Sequence, residues 1–184
     1  PKSWRDLLDP KWQGKVATGH PAFSGCTGTW ALALKKTYGW EYFEKLAANK
    51  PRIGRSAVDP VTLITSGEAW VGLASANLAY VTADKGNPIG INYPTDGLVL
   101  CVTPSAIPAQ APHPAAAKLF MEWMMSPAYS RMIASDGSDP VRADVPARPG
   151  MPPLSEQKII SLTVDEIRKG VPEVIEQWRD TFGS

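Results

Sequence analysis

Apolar and polar positions alternate between two periods along the chain, and the switches between them predict its elements. Lys15 to Thr18 reads as a short strand after Gly14. A helix follows from Ser24 to Tyr38 and ends at Gly39. Trp40 to Asn49 is a second helix, with Trp40, Phe43, Leu46 and Ala47 at helical spacing, closed by Pro51. Arg52 to Ser56 is a short strand. Asp59-Pro60 then signals a helix start that carries Val61, Leu63 and Ile64 to a stop at Gly67. Ala69 to Ala74 is a continuous apolar run, the pattern of a strand buried on both faces. Helix returns at Asn77 to Asp84, then strand at Ile89 to Tyr93 and again at Leu98 to Val102.

That order predicts an α/β fold with helices layered on a mostly parallel sheet. Before it, Trp4 to Pro10 reads as a helix of one or two turns stopped by Pro10. After it, Pro114 opens a helix to Met125 whose stripe is Ala116, Leu119, Phe120, Trp123 and Met124. Pro127 to Ala134 is a further helix, and residues 136–153 are irregular. The tail is predicted as two helical pieces broken at Gly170-Val171-Pro172, with Val174, Ile175, Trp178 and Phe182 facing a core. Trp30, Trp70, Trp123 and Trp178 all fall on apolar stripes and are expected in the interior.

Composition changes this picture little. The net charge is +1 with no basic run, which removes the electrostatic footprint of a nucleic-acid partner. No apolar segment approaches the roughly 20 residues that span a bilayer. Pro1-Lys2-Ser3-Trp4 has no charged-then-apolar leader pattern. The 18 prolines and 15 glycines fall between periodic segments and mark turns. Cys26 and Cys101 are 75 positions apart and are expected as two separate thiols.

Chemistry concentrates where the first strand meets the first long helix, in "GHPAFSGCTGTW", Gly19 to Trp30. A hydrolase elbow needs glycine two before and two after the serine, but Ser24 is flanked at those places by Ala22 and Cys26. Neither His20 nor His113 pairs with Ser24 by spacing. Cys26 near a helix start is the other candidate nucleophile, since the helix dipole lowers a thiol pKa. Two distant histidines without HExxH or a cysteine pair make no zinc site, and neither a P-loop nor GxGxxG is present. No cofactor is called for. An anion cradle remains: Ser24 supplies a hydroxyl, and Gly25, Cys26 and Thr27 supply the unpaired amides of a first helical turn. Ser56 and the Ser75-Ala76-Asn77 stretch end the next two strands in the same way. In an open α/β sheet these carboxyl ends line one edge, where ligands bind. Capping alone explains each of these residues singly.

The segment "WRDLLDPKWQGKV", Trp4 to Val16, resembles the W-x-D-L-x-D-P-K-W-K-G-K stretch of periplasmic solute-binding proteins of ABC importers, in the ferric-binding-protein-like group of the type 2 class. "SGEAWVGLAS", "AAAKLFMEWMMSPAYSRMI", "DPVRADVP" and "EQWRDTFG" fit the same group in order along the chain. The resemblance implies two α/β lobes joined by crossover strands, with solute held between them by hinge closure and no catalysis. It assigns residues 1–99 and 151–184 to the second lobe and about 100–150 to a segment crossing back to the first lobe, most of which lies outside this sequence. The strand and helix of 97–126 are then expected to lack partners and to expose apolar surface. By the same comparison Ser24, Gly25 and Cys26 match the family's anion contacts. Where iron-binding members carry adjacent tyrosines, this chain has Asn77 and Leu78, with Tyr80 further on, which argues against tyrosine-ligated ferric iron. A small anionic solute, a membrane permease as partner and a periplasmic location follow as expectations. Arg142 and Asp144 are expected as a buried ion pair or hinge anchor, and Asp136 as a weaker candidate near the cleft.

Overall fold

The computed structural model describes residues 1–183. The chain forms two compact units, the first from residues 1–101 and 158–184, the second from 102–157.

The first unit is built on three parallel strands in the order β2-β1-β3: β1 is Val16–Thr18, β2 Arg52–Ile53 and β3 Val71–Gly72. Successive side chains of a strand point to opposite faces, and each face here has its own cover. Val16, paired with Val71, faces a cluster with Trp30, Leu34, Phe43, Val174 and Trp178. These come from α1 (Gly25–Tyr38), α2 (Glu41–Ala48) and α7 (Val164–Phe182). Ala17 and Gly72 face the other way. A Cβ on Gly72 would stand 2.8 Å from the Ala17 carbonyl oxygen and 3.3 Å from Ile64 Cδ1, on α3 (Asp59–Thr65), so only glycine lets α3 close on β1 and β3. The result is helix on sheet on helix.

α1 and α7 cross through two glycines: a Cβ on Gly28 would meet Val171, and one on Gly170 would meet Leu32. α7 is one helix, not two pieces. Pro172 removes an interior N–H, a cost of about 3 kcal/mol. The capping box of Thr163 and Glu166 and the full burial of Val174 and Trp178 hold the helix through it. Lys36 of α1 bonds Glu166 at 2.6 Å. That bond, with the Thr163 amide and hydroxyl behind it, holds the Glu166 carboxyl down at about 2. The amino-terminal segment docks through Trp4, whose backbone N–H donates to the Asp96 carboxylate at 2.8 Å and whose indole donates to the Gly97 carbonyl at 2.7 Å. Tyr38 donates to the same carboxylate at 2.6 Å; burial first, then Asp96, pushes its hydroxyl up to about 12. A separate parallel pair, β4 (Leu98–Val99) with β5 (Ile159–Ile160), joins Leu98 to Ile159 and Val99 to Ile160.

Several expectations are corrected. Ile89 to Tyr93 is not a strand: Pro88, Gly90 and Pro94 punctuate it and it finds no partner strand among the described residues. The run at 69–74 pairs only at Val71–Gly72. Trp70 precedes the ladder and is 63% exposed, with the Lys15 ammonium 4.8 Å over its ring. The strand expected at 98–102 ends at Val99, where β5 ends. Pro10 does not stop the first turn but opens a second 3-10 turn, Pro10–Trp12, capped by the Asp9 carboxylate. The pairing of β4 with β5 also corrects the expectation that the strand of 97–126 lacks a partner; β5 itself is two residues long and carries no periodicity to predict it.

The second unit holds α5 (Pro114–Met124) and α6 (Pro127–Ser135), packed through the rings of Trp123 and Tyr129 at 5.1 Å. Ser126 caps α6 by accepting from the Tyr129 amide at 3.2 Å. Val145 and Met151 are buried, but Leu119, Phe120, Met125 and Met132 are exposed. Trp123 is also exposed, which corrects its expected place in the interior: the α5 stripe has no cover among the described residues. Arg142 holds Asp144 through two bonds of 2.8 and 3.0 Å. This pair lies at the surface, not buried, and the guanidinium keeps the Asp144 carboxyl below its usual range.

Candidate functional site

Because β1, β2 and β3 are parallel, their carboxyl ends share one edge of the sheet. β1 lies between the other two, so the chain passes from β1 to one side and then crosses to the other, which makes this edge a topological switch point. The loops that leave it carry Ser24 to Thr27, Ser56, Ser75 and Asn77.

The β1–α1 loop folds back on His20. Its carbonyl accepts from the amides of Phe23 and Ser24 at 3.1 and 3.2 Å, and its Nδ1 accepts from Ala22 N–H at 3.0 Å. Ser24 then caps α1: its Oγ accepts from the Thr27 amide at 3.2 Å, and its carbonyl accepts from Gly28 at 2.9 Å. Thr27 is therefore satisfied internally and buried, and it offers no donor to a solute. Gly25 is exposed and Cys26 half-buried, and their amides have no protein acceptor among the described residues. The first turn thus presents two free donors beside the Ser24 hydroxyl, at the positive end of a 14-residue helix.

Cys26 holds no thiol. It forms a disulfide with Cys101, Cα to Cα 5.4 Å, which corrects the expectation of two separate thiols and removes the cysteine nucleophile. A separation of 75 residues gives no hint of this. The fold brings the chain just past β4 against the first turn of α1, and that contact decides the pairing.

The β2–α3 loop is locally saturated. The Asp59 carboxylate accepts from the amides of Arg55 and Ser56 at 2.6 and 3.0 Å and from Ser56 Oγ at 2.9 Å, and Ser56 Oγ accepts from the amides of Val58 and Asp59. The Ser56 amide, first among these donors, holds the Asp59 carboxyl below its usual range. Ser56 is thus committed to the turn. This loop touches the first one: a Cβ on Gly19 would lie 2.8 Å from the Ser56 carbonyl oxygen. The contact sets side by side two residues that sequence reasoning missed, the Arg55 guanidinium 5.1 Å over the ring of Phe23, itself 61% exposed. An aromatic and an arginine just past two adjacent strand ends were the available signal.

Ser75 and Asn77 stand at the third strand end. Ser75 precedes α4 (Ala76–Asp84) without making a side-chain capping bond, and both residues are exposed. No hydrogen bond ties them to the other two loops among the described residues. Tyr80 lies further along α4 with its hydroxyl 3.2 Å from that of Tyr93.

A family model described as bacterial extracellular solute-binding protein matches residues 1–169. Iron-bound HitA from Pseudomonas aeruginosa is 25% identical, with a TM-score of 0.77 over 98% of this chain and 61% of that one. A Bordetella ferric binding protein is 26% identical, with a TM-score of 0.69 over 97% of this chain and 62% of that one. AfuA from Actinobacillus pleuropneumoniae, solved with fructose-6-phosphate, is 21% identical, with a TM-score of 0.84 over all of this chain and 60% of that one. An uncharacterised protein of Haemophilus influenzae is 25% identical over 130 residues, which are 68% of this chain and 38% of that protein. The chain therefore spans about 60% of the length of these solved relatives, and its match covers 38% of the Haemophilus protein. Its fold is that of a type 2 periplasmic-binding-protein lobe.

Proposed function

From the premise that the chain belongs to the bacterial extracellular solute-binding protein family, we propose that it is the larger part of the substrate-binding component of an ABC importer, taking a small anionic or phosphate-bearing solute. Residues 1–99 and 151–184 form the second of its two lobes, and 100–150 cross back to a first lobe whose remainder covers the exposed stripe of Leu119, Phe120 and Trp123. The solute sits in the cleft between the lobes, and contact with both favours closure. A membrane permease receives it, and no bond in it is made or broken.

The observation that carries this reading is the pair of unpaired amides of Gly25 and Cys26 at the switch edge of the sheet. Such donors, preorganised at a helix start, suit a phosphate or carboxylate oxygen. Ser24 adds a hydroxyl hydrogen, and Arg55 brings a cation to the same rim. The disulfide fits an oxidising compartment such as the periplasm.

A second reading, ferric iron, is favoured by the iron bound to HitA and by the ferric binding of the Bordetella protein, the two relatives at 25 and 26% identity. Calorimetric titration of the intact protein separates the two. Fructose-6-phosphate and inorganic phosphate are expected to bind and raise the melting temperature, while fructose does neither. At a hundredfold excess over Kd the stabilisation is about 2.7 kcal/mol. Binding of ferric citrate alone selects the iron reading, and turnover of any phosphate ester overturns both.

A further inference from the structure

The Cys26–Cys101 disulfide joins two features with different tasks. Cys26 is the second residue of α1, in the turn whose amides face the sheet edge. Cys101 is the last residue of the first unit before the chain passes into the second. The chain returns at Lys158 and enters β5, which pairs with β4 just ahead of Cys101. Both passages therefore start from one two-stranded pair, and the outgoing one is fastened covalently to α1.

We propose that this disulfide is a conformational pin that holds the solute-gripping turn of α1 and the outgoing connector in one fixed relation, so that opening it loosens both together. Both ends are weak without it. The first four residues of α1 are Gly25, Cys26, Thr27 and Gly28, all poor helix formers, and a single side-chain bond, donated by the Thr27 amide to Ser24 Oγ, caps them. β4 is two residues long, a ladder too short to be stable alone. Leu100 and Cys101 lie beyond it with no strand partner. Opening the bond frees those two residues and lengthens the connector by about 7 Å at full extension. The same event lets the start of α1 fray, and an anion cradle works only while its amides stay aimed. Both cysteines are half-buried and within reach of a small dithiol. The dithiol supplies two electrons and two protons, leaving Cys26 and Cys101 as thiols and itself as a cyclic disulfide. That the loosened turn grips solute rests on the function proposed above; the mechanical coupling does not.

The test is hydrogen exchange read by mass spectrometry on the intact folded protein, oxidised and after dithiothreitol. Exchange is expected to rise roughly tenfold or more both at Thr27 and Gly28, whose amides Ser24 holds, and at Leu98, whose amide the Lys158 carbonyl holds, while α2 and α5 stay as they were. The double variant Cys26→Ser, Cys101→Ser should reproduce the pattern without reductant, and each single variant should equal the double. A change in one segment alone, in neither, or throughout the first unit overturns the pin; the last outcome makes the bond a general staple. Should the variants not fold, reduction of the prefolded wild-type protein decides the matter by the same two segments. Inorganic phosphate titrated into both forms separates the coupling from the solute. Its affinity should fall on reduction, whereas no binding to the oxidised form counts against the proposed solute and leaves the pin to stand or fall on the exchange pattern.

Discussion

Two glycine-to-alanine substitutions six positions apart, one in the β1–α1 loop and one at the start of α1, should act in opposite directions. At Gly19 the new methyl would stand 2.8 Å from the Ser56 carbonyl oxygen and 2.8 Å from Thr27 Oγ1. Neither neighbour can swing aside, since one is backbone in a hydrogen-bonded turn and the other belongs to a buried threonine. Overpacking of this kind costs about 1–3 kcal/mol. At roughly 2–4 °C per kcal/mol for a chain of this size, Gly19→Ala should lower the melting temperature by about 2–12 °C. At Gly25 the methyl meets no atom within 4 Å on a helical, exposed backbone. Gly25→Ala should therefore stabilise by about 0.4–1 kcal/mol, chiefly by restricting the unfolded chain. Scanning calorimetry of the oxidised protein reads both. Titration of inorganic phosphate adds the second axis: the Gly25 methyl crowds the free amides and should weaken binding while the fold becomes more stable. If Gly19→Ala melts like the wild type, the inferred contact between the two loops is wrong. A Gly25→Ala protein that keeps full phosphate affinity removes the amides from the site.

Two further predictions concern α7. Glu166 is held at about 2 against an ordinary 4.5, so its contribution to stability is complete above pH 4.5 and is lost as pH falls towards 2. Denaturant unfolding at stepped pH should show Glu166→Gln less stable than wild type at neutral pH, with the gap closing below pH 4.5; a gap independent of pH refutes the ion-pair account. Trp178 is fully buried against Trp30 and Phe43, so Trp178→Ala should cost about 3–5 kcal/mol, read by the same unfolding curves. A loss under about 1 kcal/mol would mean that the aromatic cluster is not the centre of the core.

What was legible in the sequence was whatever repeats or punctuates. Ser24 before a small-residue turn and Gly39 at the far end mark α1 to within one residue, the helix beginning at Gly25 with Ser24 as its cap, and the apolar spacing of Val174 and Trp178 marks the buried face of α7. Pro172 misled because local cost was weighed without the tertiary packing that outweighs it. Trp70 and Trp123 misled because an apolar stripe says which residues share a face and not whether anything covers it. In the candidate site, the strand ends and their serines were readable, but the hydrogen-bond accounts were not. Thr27 and Ser56 turn out to be occupied, while Gly25 and Cys26 are free, and that distinction depends on angles no sequence spells out. The disulfide and the Phe23–Arg55 pair share the reason: each is a meeting of loops separated in sequence and settled by sheet order.

The core of the first unit is assembled from Val16 and Trp30 on one side and Val174 and Trp178 on the other, with the whole of residues 102–157 synthesised in between. No nascent chain can complete that core until it has made this excursion and the helix beyond it. Contacts so far apart in sequence close slowly, so the growing polypeptide stays loose for tens of residues after β1 to β3 have been made.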